Sequence, residues 1–215
     1  MGKTAIVIGA TGLVGSALVN QLASAEHIDK VITLTRRPVS HTSAKVENHV
    51  VDFDHLEDNA SLFKADFLFS CLGTTRSQAG SIAAQRLVDL EYQYKAAQLA
   101  AQNGVPHYLL VSSSGAKAES HNPYLKMKGE LEQRIKLLPF KRISFFQPSL
   151  LMGPRKEFRL AEKLGGLLLP LIAFIPGLRR YRPIRGEQVA AKMRRVSQQP
   201  GEALEYFRLD DIFSQ

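Results

Sequence analysis

Residues 3–25 constrain the fold of this chain more than any other stretch. Ala5–Ile8 is an unbroken apolar run, as in a strand buried on both faces. Gly9-Ala10-Thr11-Gly12-Leu13-Val14-Gly15 follows, and Ser16–Ala25 continues in a helical pattern. Strand, G-x-x-G-x-x-G turn and helix together make a phosphate-binding turn; a plain strand-to-helix turn is the simpler alternative. Gly9 would allow the tight turn, Gly12 would leave room for a pyrophosphate, and Gly15 would let helix and strand pack closely. The first N–H groups of a helix have no partners within it, so they attract an anion.

A chain of 215 residues with 45% hydrophobic content can bury a full core, and we read 1–215 as one domain. Gly2 and Lys3 lead directly into the strand, without the pattern of a secretory signal. Cys71 is the one cysteine, which excludes a disulfide framework and fits a reducing compartment, so a cytoplasmic location is expected. The formal net charge of +8 suits nucleic acid, an anionic membrane or an anionic cofactor. Many of the arginines lie between Arg155 and Arg195.

Val31–Leu34 reads as the second strand, followed by Arg36 and Arg37. In a dinucleotide fold this strand end meets the adenosine ribose, where an acidic residue favours NAD. A guanidinium fork there suits a phosphate monoester, so NADP is expected over NAD; two solvated surface arginines are the alternative. His49–Phe53 reads as a third strand, with Asp52 at its carboxyl end as an adenine contact or a turn cap. Ala65–Cys71 reads as a fourth, ending in Leu72-Gly73-Thr74-Thr75, where Gly73 would let the backbone approach a cofactor. Cys71 has no companion histidine nearby and reads as a small buried hydrophobe.

Arg76–Gly80 reads as a polar loop and Ser81–Asn103 as a long helix, stopped by Gly104 and Pro106. Tyr108–Val111 is a fifth buried strand leading into Ser112-Ser113-Ser114-Gly115. Alternating short strands and helices argue an α/β fold, a Rossmann-like doubly wound parallel sheet with helices on both faces. Asn122-Pro123 opens the next helix, with Tyr124 and Lys128 four apart on one face. A free tyrosine, with a pKa of about 10, is a poor acid or base at neutral pH. A neighbouring ammonium favours its ionised form, and a serine at the preceding strand end could bond a substrate oxygen.

These stretches resemble an atypical short-chain dehydrogenase/reductase of the extended type. The resemblance rests on Gly-Ala-Thr-Gly-Leu-Val-Gly (9–15), Cys-Leu-Gly-Thr-Thr (71–75), Val-Ser-Ser-Ser-Gly-Ala (111–116) and Tyr-Leu-Lys-Met-Lys (124–128). More narrowly, Cys-Leu-Gly-Thr-Thr-Arg and the Tyr-x-x-x-Lys-Gly-Glu run ending at Glu130 are similar to the Tat-interacting-protein oxidoreductase branch and to NAD(P)-binding epimerase-like proteins. The resemblance covers the chain to about Arg155. It implies Tyr124 as general acid/base, Lys128 as ribose ligand and Ser113 as the active-site serine. It also implies cofactor contacts at Gly9, Thr11, Gly12, Leu13, Val14, Gly15, Arg36, Arg37, Asp52, Leu72, Gly73, Thr74, Tyr124 and Lys128. Pro148 and Leu150 would lie at the nicotinamide end, and no metal is implied. Two departures stand out: Asp89 where many relatives have asparagine in the long helix, and Gln147-Pro148 where many extended members have Arg-Pro.

Arg142–Gln147 alternates as a sixth strand, Glu187–Ser197 reads as a helix, and Leu204–Leu209 as a short final strand or extended tail. Arg155–Lys163 is basic and helical in pattern; Leu164–Leu178 is apolar but broken by Gly165, Gly166, Pro170 and Pro176. It falls short of the ~20 residues that span a bilayer. Residues 149–185 therefore read as a small substrate lid, with an interfacial patch on a membrane as the alternative. Two functions follow: an NADP-dependent oxidoreductase acting on a small carbonyl or alcohol, or an NADPH-binding regulatory or interaction protein. Binding of nucleic acid through the basic carboxyl third lacks interleaved aromatics and is disfavoured.

Overall fold

The computed structural model describes residues 2–152 and 182–213. β1 (Lys3–Ile8) passes through the glycine turn into α1 (Leu13–Ala23), then β2 (Ile28–Thr35) and β3 (Val46–Val50). A 3-10 segment (Leu56–Leu62) leads to β4 (Phe67–Ser70). One helical turn, α2 (Arg76–Ala79), precedes α3 (Ile82–Arg86), a π-turn (Leu87–Glu91) and α4 (Tyr92–Gln102). β5 (His107–Val111), α5 (Pro123–Ile135), β6 (Arg142–Gln147) and β7 (Leu151–Met152) follow. The described chain resumes with β8 (Ile184–Arg185), α6 (Gly186–Gln198), β9 (Leu204–Arg208) and a 3-10 turn (Leu209–Ile212).

Among the described residues, seven strands form one sheet in the order β3-β2-β1-β4-β5-β6-β9, every pair parallel. Successive strand residues face opposite sides, so each strand feeds two cores. Ile6, Ile8, Leu68, Leu110 and Phe145 pack with Ala96 and Ala100 of α4 and Leu131 and Ile135 of α5. Ala5, Val7, Phe69, Leu109 and Phe146 pack with Leu18 and Leu22 of α1 and Val189 and Met193 of α6. Double-sided burial explains the unbroken apolar run of β1, whose last four residues have no exposure. The chain builds outward from β1 in one direction through β3, then crosses back to β4. The crevice beyond the carboxyl ends of β1 and β4 is therefore the topological switch point, where this class of sheet binds its ligands.

Three local readings change. The third strand is Val46–Val50, not 49–53. It is a polar edge strand held by pairing from Val31↔Val46 to Thr35↔Val50. The apolar Val51 and Phe53 belong to the turn after it and anchor that turn in the core. Arg76–Ala79 is a helical turn, capped by the Thr75 hydroxyl accepting the Gln78 N–H at 3.1 Å. The long helix carries a π-turn in its middle. Leu204–Arg208 is a true strand, paired with β6.

Residues 153–181, which include the basic and apolar runs expected in the lid, lie outside the described residues. The described residues on either side of that stretch meet: β7 and β8 pair in parallel, and the Ser149 hydroxyl donates to the Arg182 carbonyl at 2.5 Å. No helix among the described residues is long and apolar enough to cross a membrane.

Candidate active site

Each glycine of the turn has its own steric reason. Gly9 has φ +78°, and a Cβ on it would lie 2.4 Å from the Cys71 backbone, so β1 and the loop after β4 touch there. A Cβ on Gly15 would lie 2.1 Å from the Gly9 carbonyl oxygen, so α1 packs directly on the turn. At Gly12 the nearest atom to a Cβ is 3.3 Å away, and it faces the cleft. The N-terminus of α1 has no side-chain cap and no acidic residue in its first turn, which leaves its N–H groups for a ligand. A cleft of about 760 Å³ opens above it, within the range of cofactor sites. Thr11, Leu13 and Ser16 line one wall and Cys71, Leu72, Gly73 and Thr74 the other. Val14 and Gly15 face the core and the turn instead of the cleft. A small-residue cradle beneath an uncapped helix start fits a dinucleotide pyrophosphate.

Arg36 reaches the cleft, exposed, at the end of β2; Arg37 is exposed and outside the lining. The Arg37 carbonyl is taken by the Thr35 hydroxyl at 2.7 Å. Asp52 is likewise outside the lining, its carboxylate accepting the Asp54 N–H at 3.0 Å, which is the turn-cap alternative. Phe53 and Tyr92, which sequence reasoning missed, close this end of the cleft with rings 5.5 Å apart. The Tyr92 hydroxyl donates to Asp54 at 2.6 Å. Burial, then the Asp54 bond and charge, push that phenol up to about 12. The only hint in sequence was Phe53, an apolar residue three positions beyond the polar strand that ends at Val50.

The serine run divides by direction. Ser112 is buried and its hydroxyl donates to Glu132, whose carboxylate also accepts from Gln147 at 2.9 and 3.1 Å. Burial pushes the Glu132 carboxyl above its ordinary value, with Gln147 and Ser112 opposing. The Ser114 N–H donates to the Pro148 carbonyl at 2.9 Å, tying the loops after β5 and β6 together. Ser113 is half-buried, and its hydroxyl makes only a 3.4 Å contact with the Ser114 carbonyl. Pro148 is buried beside it, and Leu150 is 46% exposed next to β7.

Asn122 starts α5 as predicted, its side chain accepting the N–H groups of Tyr124 at 3.0 Å and Leu125 at 3.3 Å. Tyr124 is half-buried. Lys128, one turn on, is 2% exposed, and its ammonium lies 3.2 Å from the Asp89 carboxylate, itself fully buried. The other Asp89 oxygen accepts the Thr74 N–H at 3.2 Å. Burial pushes the lysine down, but Asp89, with Tyr124 and Glu132, more than offsets it and holds Lys128 above its ordinary value. Cys71 is half-buried in the cleft wall rather than buried in the core, and the loss of solvent around its thiol raises it to about 12, so it stays protonated. Among the described residues no cluster of metal-ligating side chains occurs.

The profile of a family described as NAD(P)H-binding matches residues 9–136. Protein HTATIP2 of Rattus norvegicus is 37% identical over 166 residues, 75% of this chain and 68% of that protein. The mitochondrial protein FMP52 of Coccidioides immitis (strain RS) is 37% identical over 183 residues, 78% of this chain and 73% of that protein. Among solved structures, MoeE5 in complex with UDP-glucuronic acid and NAD is similar with a TM-score of 0.72 at 16% identity, covering 96% of this chain and 76% of that one. The Bordetella bronchiseptica enzyme WbmH in complex with NAD+ gives 0.71 at 13% identity, over 97% and 76%. At such identities the likeness is one of fold.

Proposed function

Because the chain belongs to the NAD(P)H-binding family of atypical short-chain dehydrogenase/reductase proteins, we propose that it is an NADP-dependent oxidoreductase interconverting a small carbonyl compound and its alcohol. The observation that carries this reading is that Lys128, one turn on from Tyr124 in α5, is tied through Asp89 to Thr74 in the cleft wall. That link joins the one tyrosine–lysine pair with i, i+4 spacing at a helix start to the dinucleotide cleft.

The residues divide the work as follows. The turn from Gly9 to Leu13 and the start of α1 hold the pyrophosphate. Arg36 would pair with a 2′-phosphate on the adenosine ribose, and Phe53 and Tyr92, which line the same end of the cleft, would border the adenine. Lys128 has three N–H donors; one faces Asp89, which leaves two for ribose hydroxyls and the tyrosine. Pro148 and Leu150, in the segment that leaves β6, would border the nicotinamide end. Ser113 donates a hydrogen bond to the substrate oxygen, and Tyr124 gives it a proton as the alcohol forms. A nicotinamide cofactor, when bound, would supply the hydride for reduction and would accept one in the reverse direction. Solvent then returns a proton to Tyr124. A reducing compartment such as the cytoplasm suits the free Cys71.

A sensor reading, in which cofactor binds without turnover, is favoured by one observation: Lys128 is already charge-paired and only 2% exposed. A panel of small aldehydes and ketones with NADPH decides between them. In the oxidoreductase, Tyr124→Phe keeps the ring and NADPH affinity, while turnover falls by roughly 10²–10⁴. Undiminished turnover in that variant removes Tyr124 as the acid. NADPH binding with no turnover on any member of the panel establishes the sensor.

A further inference from the structure

The π-turn at Leu87–Glu91 is a departure from regular helix in the middle of the longest helical stretch before β5, and such bulges concentrate at functional sites. It presents Asp89, which is fully buried, to two partners on different elements. One carboxylate oxygen lies 3.2 Å from the Lys128 ammonium of α5. The other accepts the Thr74 N–H of the loop after β4 at 3.2 Å. Gln85 and Gln93, one turn before and one after, fix the same wall. Gln85 donates to the Thr74 carbonyl at 3.2 Å, and Gln93 donates to the Asp89 carbonyl at 2.8 Å. The Ser70 hydroxyl at the end of β4 donates to Gln93 at 2.8 Å. Gln85, Asp89 and Gln93 thus form a buried polar stripe whose bonds run to the end of β4 and the cofactor-side loop.

Holding Thr74 needs only an acceptor, which an asparagine would supply equally well. A carboxylate is required only for the ammonium. A lysine buried without a counter-charge gives up its proton readily, because burial disfavours the charged form. We propose that Asp89 is a positioning residue: one oxygen holds Lys128 and the other holds the backbone of Thr74, so that the lysine stays charged, aimed and locked to the cofactor-side loop. The inference rests on the proposed dinucleotide function only in its cofactor arm.

The sign of the expected effect follows from the groups that face Lys128. These are Asp89 from the π-turn, Tyr124 and Glu132 from its own helix, and Cys71 from the end of β4. Cys71 is protonated over the working range and contributes no charge there. With Asp89 made neutral, burial is opposed only by Tyr124 and Glu132. Lys128 then loses its proton as pH rises through a lowered midpoint, and its hold on a ribose weakens with it.

Two readouts test this. The first uses cofactor-free protein: the ε-methylene signal of Lys128 in carbon-13 lysine-labelled protein, identified by its loss in Lys128→Met, is titrated with pH. The unaltered protein keeps Lys128 charged past the ordinary lysine midpoint, and Asp89→Asn brings the midpoint down by roughly two pH units or more. A midpoint unchanged by Asp89→Asn overturns the proposal. The second is NADPH titration, in which Asp89→Asn loses roughly tenfold more affinity than the unaltered protein between pH 7 and 9.5. Parallel pH profiles for the two proteins also overturn the proposal. If neither protein binds NADPH, the cofactor reading fails while the ε-methylene titration still decides the role of Asp89. If Asp89→Asn does not fold, the double variant Asp89→Asn/Lys128→Met, which buries no unpaired charge, restores folding. A double variant that also fails to fold places Asp89 in packing alone and overturns the proposal.

Discussion

His107 shows how one buried side chain sets a property of the whole protein. Its ring lies 2.9 Å from the Ser144 hydroxyl, which donates to Glu205 at 3.0 Å, and Arg142 pairs with the same carboxylate at 2.7 Å. Burial pushes the imidazole down to about 3, and Arg142 and Lys3 add to the effect. The folded protein therefore keeps His107 neutral, while the unfolded chain takes up a proton near pH 6.5. Its contribution to stability is complete above that value and is lost as pH falls toward 3, amounting to about 2 kcal/mol by pH 5. Urea unfolding at pH 7 and pH 5 checks this against His107→Gln, whose stability should fall by about that much less over the interval. Glu132, with its raised carboxyl, is common to both proteins and cancels in the comparison. Equal losses in the two proteins would remove His107 from the acid response. At this scale the sequence was legible where a side chain's neighbours are local, as at the Asn122 cap. It was not legible where the partner is distant, as for Tyr92 with Asp54 or Ser112 with Glu132.

At the scale of elements, the glycine turn separates packing from binding within seven residues. Gly15→Ala places a methyl 2.1 Å from the Gly9 carbonyl and drives α1 off β1, at a cost of about 1–3 kcal/mol in unfolding stability. Gly12→Ala meets nothing closer than 3.3 Å, and Gly12 already has φ −79°, so the fold persists. The added methyl instead occupies the side facing the cleft, and NADPH affinity drops by roughly tenfold or more, equivalent to about 1.4 kcal/mol. Thermal unfolding and NADPH titration of the two variants distinguish the roles. A Gly12→Ala protein that binds as before would show that the pyrophosphate does not lie there. β1, β6 and α6 were legible because hydrophobic period and length agree in each. β3 was shifted because an edge strand lined with Glu47 and Asn48 carries little apolar signal, while its flanking turn carries Val51 and Phe53. The π-turn left no mark in the periodicity of 81–103, because one extra residue per turn over five residues hardly displaces an apolar stripe.

For the molecule as a whole, the doubly wound order followed from alternating short strands and helices, because parallel strands need crossovers and the crossovers have one hand. That order brings β1 and β4 side by side and opens the cleft between their carboxyl ends. Which residues complete the cleft was only partly legible. Arg36 was expected and lines it; Val14, Gly15, Arg37, Asp52, Tyr124, Lys128, Pro148 and Leu150 were expected as cofactor contacts and do not line it; Phe53 and Tyr92 complete it from a turn and a helix far apart in sequence. The central claim is that this crevice takes NADP(H), with Arg36 at the 2′-phosphate, and calorimetric titration with NADPH and NADH tests it most directly. The unaltered protein should bind NADPH roughly tenfold or more tightly than NADH, and Arg36→Ala should abolish most of the difference by weakening NADPH alone. Equal affinity for the two cofactors, or a preference that survives Arg36→Ala, would contradict it.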